Sequence, residues 1–113
     1  MWRDEGYLLD ILNEARKLVH RFQGVSRADF DRDEQRQYVA FWSIAVIGEA
    51  ANKISGEFRD SHPGLPWREM VAMRNILVHD YARIDLDVVW GVITHSAPAL
   101  IQAIGPLLPG ENA

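Results

Sequence analysis

At 113 residues, 48% of them apolar and 25% charged, the chain has the size and composition of one globular domain. It has no cysteine, which excludes disulfide frameworks, cysteine-ligated zinc and any thiol nucleophile. Sixteen acidic against twelve basic residues give a formal charge of -4, which argues against binding nucleic acid over a broad basic surface but leaves room for a small phosphate site. Ten of the twelve basic residues are arginines, the forked donors suited to phosphate and carboxylate, although a composition bias explains that excess more simply.

In chain order, Tyr7, Leu8, Ile11, Leu12, Ala15, Leu18, Val19 and Phe22 form the three-four stripe of an amphipathic helix. Gly24 supplies its stop, and Ser26 caps a short turn or helix around Asp29. A second long helix is expected over residues 33–58, its stripe running through Phe41, Ile44, Ile47, Ala51, Ile54 and Phe58, with Tyr38, Trp42, Ala45 and Val46 widening it. The loop Ser61-His62-Pro63-Gly64-Leu65-Pro66 is the strongest break in the chain, and Pro66 fits the first turn of a helix carrying Trp67, Met70, Val71, Ile76 or Leu77, and Val78 towards the core. Asp85 is a cap for a last helix through Leu86, Val89, Trp90, Ile93, Ala97, Leu100, Ile101 and Ile104, which Pro98 must kink or break.

No stretch alternates with period two and no Asn-Gly or Asp-Gly hairpin turn occurs, so the expected fold is all-α, an up-and-down bundle of four to five helices. The whole chain reads as a single domain, with an ordered core over residues 4–104 and a frayed tail over 105–113, where two prolines and two glycines fall. The acidic N-terminus is unlike a secretory leader, and the apolar runs are broken short of the roughly 18 residues a membrane span needs. A cytoplasmic protein with no membrane contact is the expectation. Phosphate-loop, dinucleotide, serine-hydrolase and zinc-peptidase motifs are all missing, as is the Glu-x-x-His pair of helical di-metal sites, so neither cofactor nor metal is expected.

What remains is Arg74-Asn75-Ile76-Leu77-Val78-His79-Asp80-Tyr81. Asn75 and His79 are one helical turn apart, so the amide is placed to orient the imidazole. Arg74 and His79 are five apart, roughly 140° around a helix. They meet only if the guanidinium folds back over its own helix or if two copies of the chain face each other. An arginine beside a histidine is a minimal apparatus for cutting RNA: the imidazole moves a proton at a ribose hydroxyl or a leaving oxygen, while the guanidinium grips the phosphate. Each residue also has a structural reading: His79 as a helix-end cap, Arg74 paired with Asp80 or Glu69, Tyr81 as a half-buried aromatic. Chance gives about 0.35 Arg-x4-His pairs in a chain of this composition, and about 0.01 once the tyrosine is added. Local chemistry alone leaves the function open.

The segment resembles the R-x4-H-x-Y signature of HEPN-domain toxins of the HepT type. The likeness extends to Asp10-Ile11-Leu12, Ile47-Gly48-Glu49-Ala50-Ala51, Pro63-Gly64-Leu65-Pro66-Trp67-Arg68-Glu69 and Asp85-Leu86-Asp87-Val88-Val89-Trp90, in the same order. The resemblance implies a HEPN-like homodimer with Arg74 and His79 as catalytic residues in a cleft at the two-fold axis, and metal-independent endoribonuclease activity on mRNA or tRNA. It further implies the toxin half of a type VII HEPN/MNT toxin–antitoxin pair, whose MNT-type nucleotidyltransferase antitoxin silences it by AMPylation of Tyr81. Bulk and negative charge on Tyr81 beside Arg74 would repel RNA. Asn75 is a supporting residue, Arg68 and Arg83 are candidate RNA contacts, and Glu49 and Asn52, one turn apart, are candidates to face the same cleft. Asp80 falls at the variable position. The competing class is a non-catalytic HEPN module that binds a nucleotide or scaffolds a nucleotidyltransferase.

Overall fold

The computed structural model describes residues 3–110, and among these every regular element is helical. In order they are α1 (Glu5–Arg21), α2 (Arg27–Arg32), α3 (Glu34–Lys53), α4 (Gly56–Ser61), α5 (Trp67–His79), a 3-10 turn (Tyr81–Arg83), α6 (Leu86–Gly91), a π turn (Val92–Ser96), α7 (Ala97–Ile104) and a final 3-10 turn (Gly105–Leu107). Because α6, the π turn and α7 follow without a break, four long helical rods make the bundle, and two six-residue helices, α2 and α4, bridge them. α3 lies between α1 and α5, and α7 packs against α1. Leu8, Ile11, Leu12, Ala15 and Leu18 of α1 are completely buried, and with Ile44, Ile47 and Ala51 of α3 they form the centre of the core. The α1 stripe read from the sequence is thus the face that the bundle covers.

Three of the expected boundaries are confirmed by their caps. Gly24 follows α1 with φ +73°, a left-handed conformation natural to glycine. The Ser26 hydroxyl accepts from the Asp29 amide at the start of α2, and the Asp85 carboxylate accepts from the Asp87 amide at the start of α6.

The long second helix is shorter than expected. It stops at Lys53, Ile54 turns extended (φ -63°, ψ 139°), and Ser55 starts α4 by accepting from the Phe58 amide. The break is held from outside the helix: the Asp4 carboxylate, buried to 5% exposure, accepts from the Ser55 amide at 2.9 Å and from its hydroxyl at 2.7 Å. Apolar periodicity passes through this corner unbroken, since Ile54 and Phe58 keep the register, so only the Ser-Gly pair signalled it. Removing the acceptor strands two donors of Ser55 at a partly buried corner. Asp4→Ala is expected to cost about 1–3 kcal/mol in urea unfolding, while Asp4→Asn, which keeps one acceptor oxygen, costs less.

Further differences follow from proline geometry and packing. Pro66 is the residue before α5 rather than its first turn; its φ of -84° and ψ of 62° are not helical, while its carbonyl accepts from the Met70 amide. At Pro98 the rod continues, because the α pattern gives way to a π turn just before it and Pro98 sits in the first turn of α7, where no amide donor is needed. The tail expected to fray from residue 105 is folded further: Gly105–Leu107 form a 3-10 turn and Leu108 is 3% exposed, with residues 111–113 outside the described part. The apolar rod Leu86–Leu107, 22 residues, is also long and apolar enough to cross a membrane by length and composition, contrary to the sequence reading. Val89, Ile93, Ala97, Leu100 and Ile104, spaced by three and four, are buried in the bundle, as in the core helix of a globular domain.

α5 carries the motif, and a glycine sets its position. A Cβ built on Gly48 of α3 would overlap the Cβ of Arg74 and the Met70 carbonyl oxygen, so α5 approaches α3 as closely as backbone allows. Trp67, Met70 and Leu77 supply the buried face of α5, and Trp67 is fixed by an indole N–H that donates to the His62 carbonyl at 2.9 Å.

Candidate active site

The close approach at Gly48 brings Arg74 against the next residue of α3. Arg74 Nη2 lies 3.0 Å from Glu49 Oε2, and the Arg74 side chain is 27% exposed. Nη1 donates to the Asn75 side-chain oxygen Oδ1 at 2.9 Å. Glu49 also reaches back along its own helix to Lys53 at 3.5 Å. The partner of Arg74 is therefore neither Asp80 nor Glu69. Asp80 instead pairs with the exposed Arg83 at 3.3 Å, an arrangement worth little in water.

Asn75 does not orient the imidazole; its amide oxygen is engaged by Arg74. His79 is exposed in the last turn of α5 and has no hydrogen-bond partner among the described residues. The ring is thus free to meet a substrate.

Tyr81 opens the 3-10 turn after Asp80, 57% exposed. Its ring stands edge-on to Phe41, centroids 6.2 Å apart, and Phe41 meets Tyr38 at the same separation. The Glu34 carboxylate, followed by Tyr81, raises the pKa of the Tyr38 phenol, so Tyr38 stays a neutral donor. Tyr38 and Trp42, which extend the apolar stripe in sequence, are not core residues: they are 52% and 70% exposed. Their exposure on the motif side of α3 had no signal in periodicity, because a widened stripe and a wet aromatic surface look alike along the chain.

Two of the recesses that border α5 hold residues of the motif. One, of about 280 Å³, holds Arg74 and Glu49 together with Asp10, Lys53, Trp42 and Val78. Its two acids balance its two bases, so one copy of the chain does not concentrate positive charge there. The other lies on the Asn75 side and holds Arg68 and Asn52. Glu49 and Asn52, read as facing one cleft, therefore face different ones. Arg83 lies in neither. No group of three His, Asp or Glu side chains among the described residues is arranged to hold a metal ion.

A helical bundle that displays an arginine in a carboxylate clamp, an unpartnered histidine and an exposed tyrosine within eight residues has the make-up of a HEPN-type ribonuclease. The model of the HepT-like family, described as ribonuclease HepT-like, matches residues 11–107, and the chain belongs to that family. Among its relatives, "Probable ribonuclease HepT" of Thermococcus cleftensis is 37% identical over 83% of this chain and 86% of its own length. "Putative RNase TTE0752" of Caldanaerobacter subterraneus is 33% identical over 94% of this chain and 95% of its own. "Putative RNase MJ1380" of Methanocaldococcus jannaschii is 31% identical over 88% and 92%. No solved structure matches the chain. The protein is a ribonuclease of the HEPN type, which favours the enzymatic reading over the scaffolding one.

Proposed function

We propose that the protein is the toxin of a type VII HEPN/MNT toxin–antitoxin pair, a cytoplasmic endoribonuclease that cuts mRNA or tRNA through Arg74 and His79 and is silenced by AMPylation of Tyr81. The observation that carries this reading is the difference between the two side chains: Arg74 is pre-positioned by Gly48 and Glu49, whereas His79 is exposed and has no hydrogen-bond partner among the described residues. A fixed guanidinium suits a phosphate, and an unrestrained imidazole in water suits proton transfer. In the reaction the ribose 2′-oxygen attacks phosphorus, the bond to the 5′-oxygen breaks, and His79 moves the proton at one of these oxygens. The products are a 2′,3′-cyclic phosphate and a 5′-hydroxyl. The nucleophile comes from the substrate itself, so the step asks for no metal.

Arg74 and His79 leave α5 roughly 140° apart, which favours a homodimer in which each copy completes the other's site. Exposed Trp42 and Val78 in the Arg74 recess, with exposed Tyr38 next to Trp42 in a neighbouring one, support self-association, since side chains of this kind rarely stay wet together without a partner.

Tyr81 is suited to modification because its hydroxyl is reachable at the surface, two residues from His79. Transfer of AMP from ATP joins the phenolic oxygen to the α-phosphorus and releases pyrophosphate. The added phosphate repels RNA by like charge and bulk. Incubation with an MNT-type nucleotidyltransferase and ATP is expected to add AMP masses to the wild type and none to Tyr81→Phe in intact-protein mass spectrometry. An unmodified wild type would contradict the regulatory half of this reading while leaving the nuclease half standing.

A further inference from the structure

The recess on the Asn75 side of α5, about 530 Å³, lies between the end of α3, α4 and the outward ridge of α5. Arg68, Ala72, Asn75 and His79 follow that ridge at intervals of four, three and four residues, so they form one line along the helix. The line from Arg68 to His79 is roughly 16 Å long, at 1.5 Å per residue. The recess is therefore continuous with the face that carries His79.

Its charge differs from that of the Arg74 recess. Arg59 from α4 and Arg68 from α5 both line it, and neither has an ion-pair partner among the described residues, whereas most other arginines do. Asp60 is the one carboxylate there, so two free guanidiniums and one acid leave a net positive charge on a protein that is acidic overall. Between the arginines the floor is apolar, made by Trp67 and Val71, and Asn52 and Asn75 stand at the edge with both donor and acceptor atoms. Gly56 opens the recess further, since a Cβ there would meet nothing within 4 Å.

We infer that this recess is an RNA subsite that holds a nucleotide beyond the two joined by the cleaved bond, with Arg59 and Arg68 on its phosphate and its base against the Trp67 and Val71 floor. Free arginines beside an apolar wall and amide side chains match a single-stranded nucleotide, which offers an anion, a flat apolar face and a polar edge. The Asp60 carboxylate suits an exocyclic base amine, which favours bases that carry one. The subsite rests on the ribonuclease reading and adds where the substrate strand runs: along the ridge of α5, away from Tyr81.

The test is fluorescence anisotropy of a short labelled single-stranded RNA on the His79→Ala protein, alone and with Arg59→Ala plus Arg68→Ala, or with Gly56→Leu. The arginine pair is expected to weaken binding about tenfold and to reduce the slope of log affinity against log salt by about 0.7 for the phosphate lost. Gly56→Leu fills the recess without changing charge and is expected to weaken binding with the slope retained. In the active protein the same changes raise KM for a long RNA and leave kcat, and cleavage of a dinucleotide, as they were. Thermal melts confirm that each variant folds. RNA affinity unchanged by both the arginine pair and Gly56→Leu overturns the subsite while leaving the nuclease reading intact. A wild-type protein that neither binds nor cuts RNA overturns both.

Discussion

His79→Ala and Arg74→Ala are each expected to lower RNA cleavage by roughly 10² to 10⁴, the usual range for loss of a general acid–base group. The two losses should differ in kind. His79 has no hydrogen-bond partner among the described residues and sits exposed at the end of α5, so its removal acts on kcat and leaves the melting temperature nearly unchanged. Arg74 is clamped by Glu49 at 3.0 Å and by Asn75 at 2.9 Å, so its removal also frees a carboxylate beside the site. Arg74→Ala is therefore expected to raise KM as well, and Arg74→Lys to recover little, because an ammonium cannot hold Glu49, Asn75 and a phosphate in one plane. Steady-state kinetics on a fluorogenic RNA separate the two patterns.

Gly48→Ala is the second large effect, and it runs against helix propensity. In a free helix the change to alanine gains about 1 kcal/mol. Here the new Cβ overlaps the Arg74 Cβ and the Met70 carbonyl oxygen, neither of which is the tip of a flexible side chain, so α5 must move off α3. Overpacking of this kind costs typically about 1–3 kcal/mol, which outweighs the propensity gain. The expected result is a melting temperature lower by several degrees and a larger fractional loss of activity, since the displaced helix carries the whole motif. Gly6 and Gly91, where a Cβ meets nothing within 4 Å, serve as controls: alanine there should leave activity unchanged.

Much of this architecture is legible along the chain, for reasons particular residues make clear. The α1 stripe and the caps at Ser26 and Asp85 read correctly because each depends on neighbours three or four residues away. The break at Ile54 and Ser55 escapes such reading because its cause, Asp4, lies 51 residues distant in sequence. Likewise, a proline read as a kink says nothing of the π turn that absorbs it. At the candidate site, the motif singled out Arg74, His79 and Tyr81 as candidates, whereas the pairing of Arg74 with Glu49 follows from how Gly48 lets two helices meet. The use of Asn75 follows from the same packing, since a guanidinium anchored on Glu49 lies beside the amide and takes its oxygen. Arg59 gave no sequence signal at all, for an unpaired arginine is recognisable only when the surrounding acids can be seen to turn elsewhere.

The central claim, that Arg74 and His79 together cut RNA in a site shared between two copies, is tested most directly by one rate: RNA cleavage in excess chelator by an equimolar mixture of Arg74→Ala and His79→Ala chains, refolded together. Each variant alone is expected to be inactive. In the mixture, a dimer with one chain of each kind keeps an intact arginine on one copy and an intact histidine on the other, so cleavage should return to a substantial fraction of the wild-type rate. A mixture as inactive as its components contradicts the shared site, and single variants that cut as fast as the wild type contradict the catalytic assignment itself.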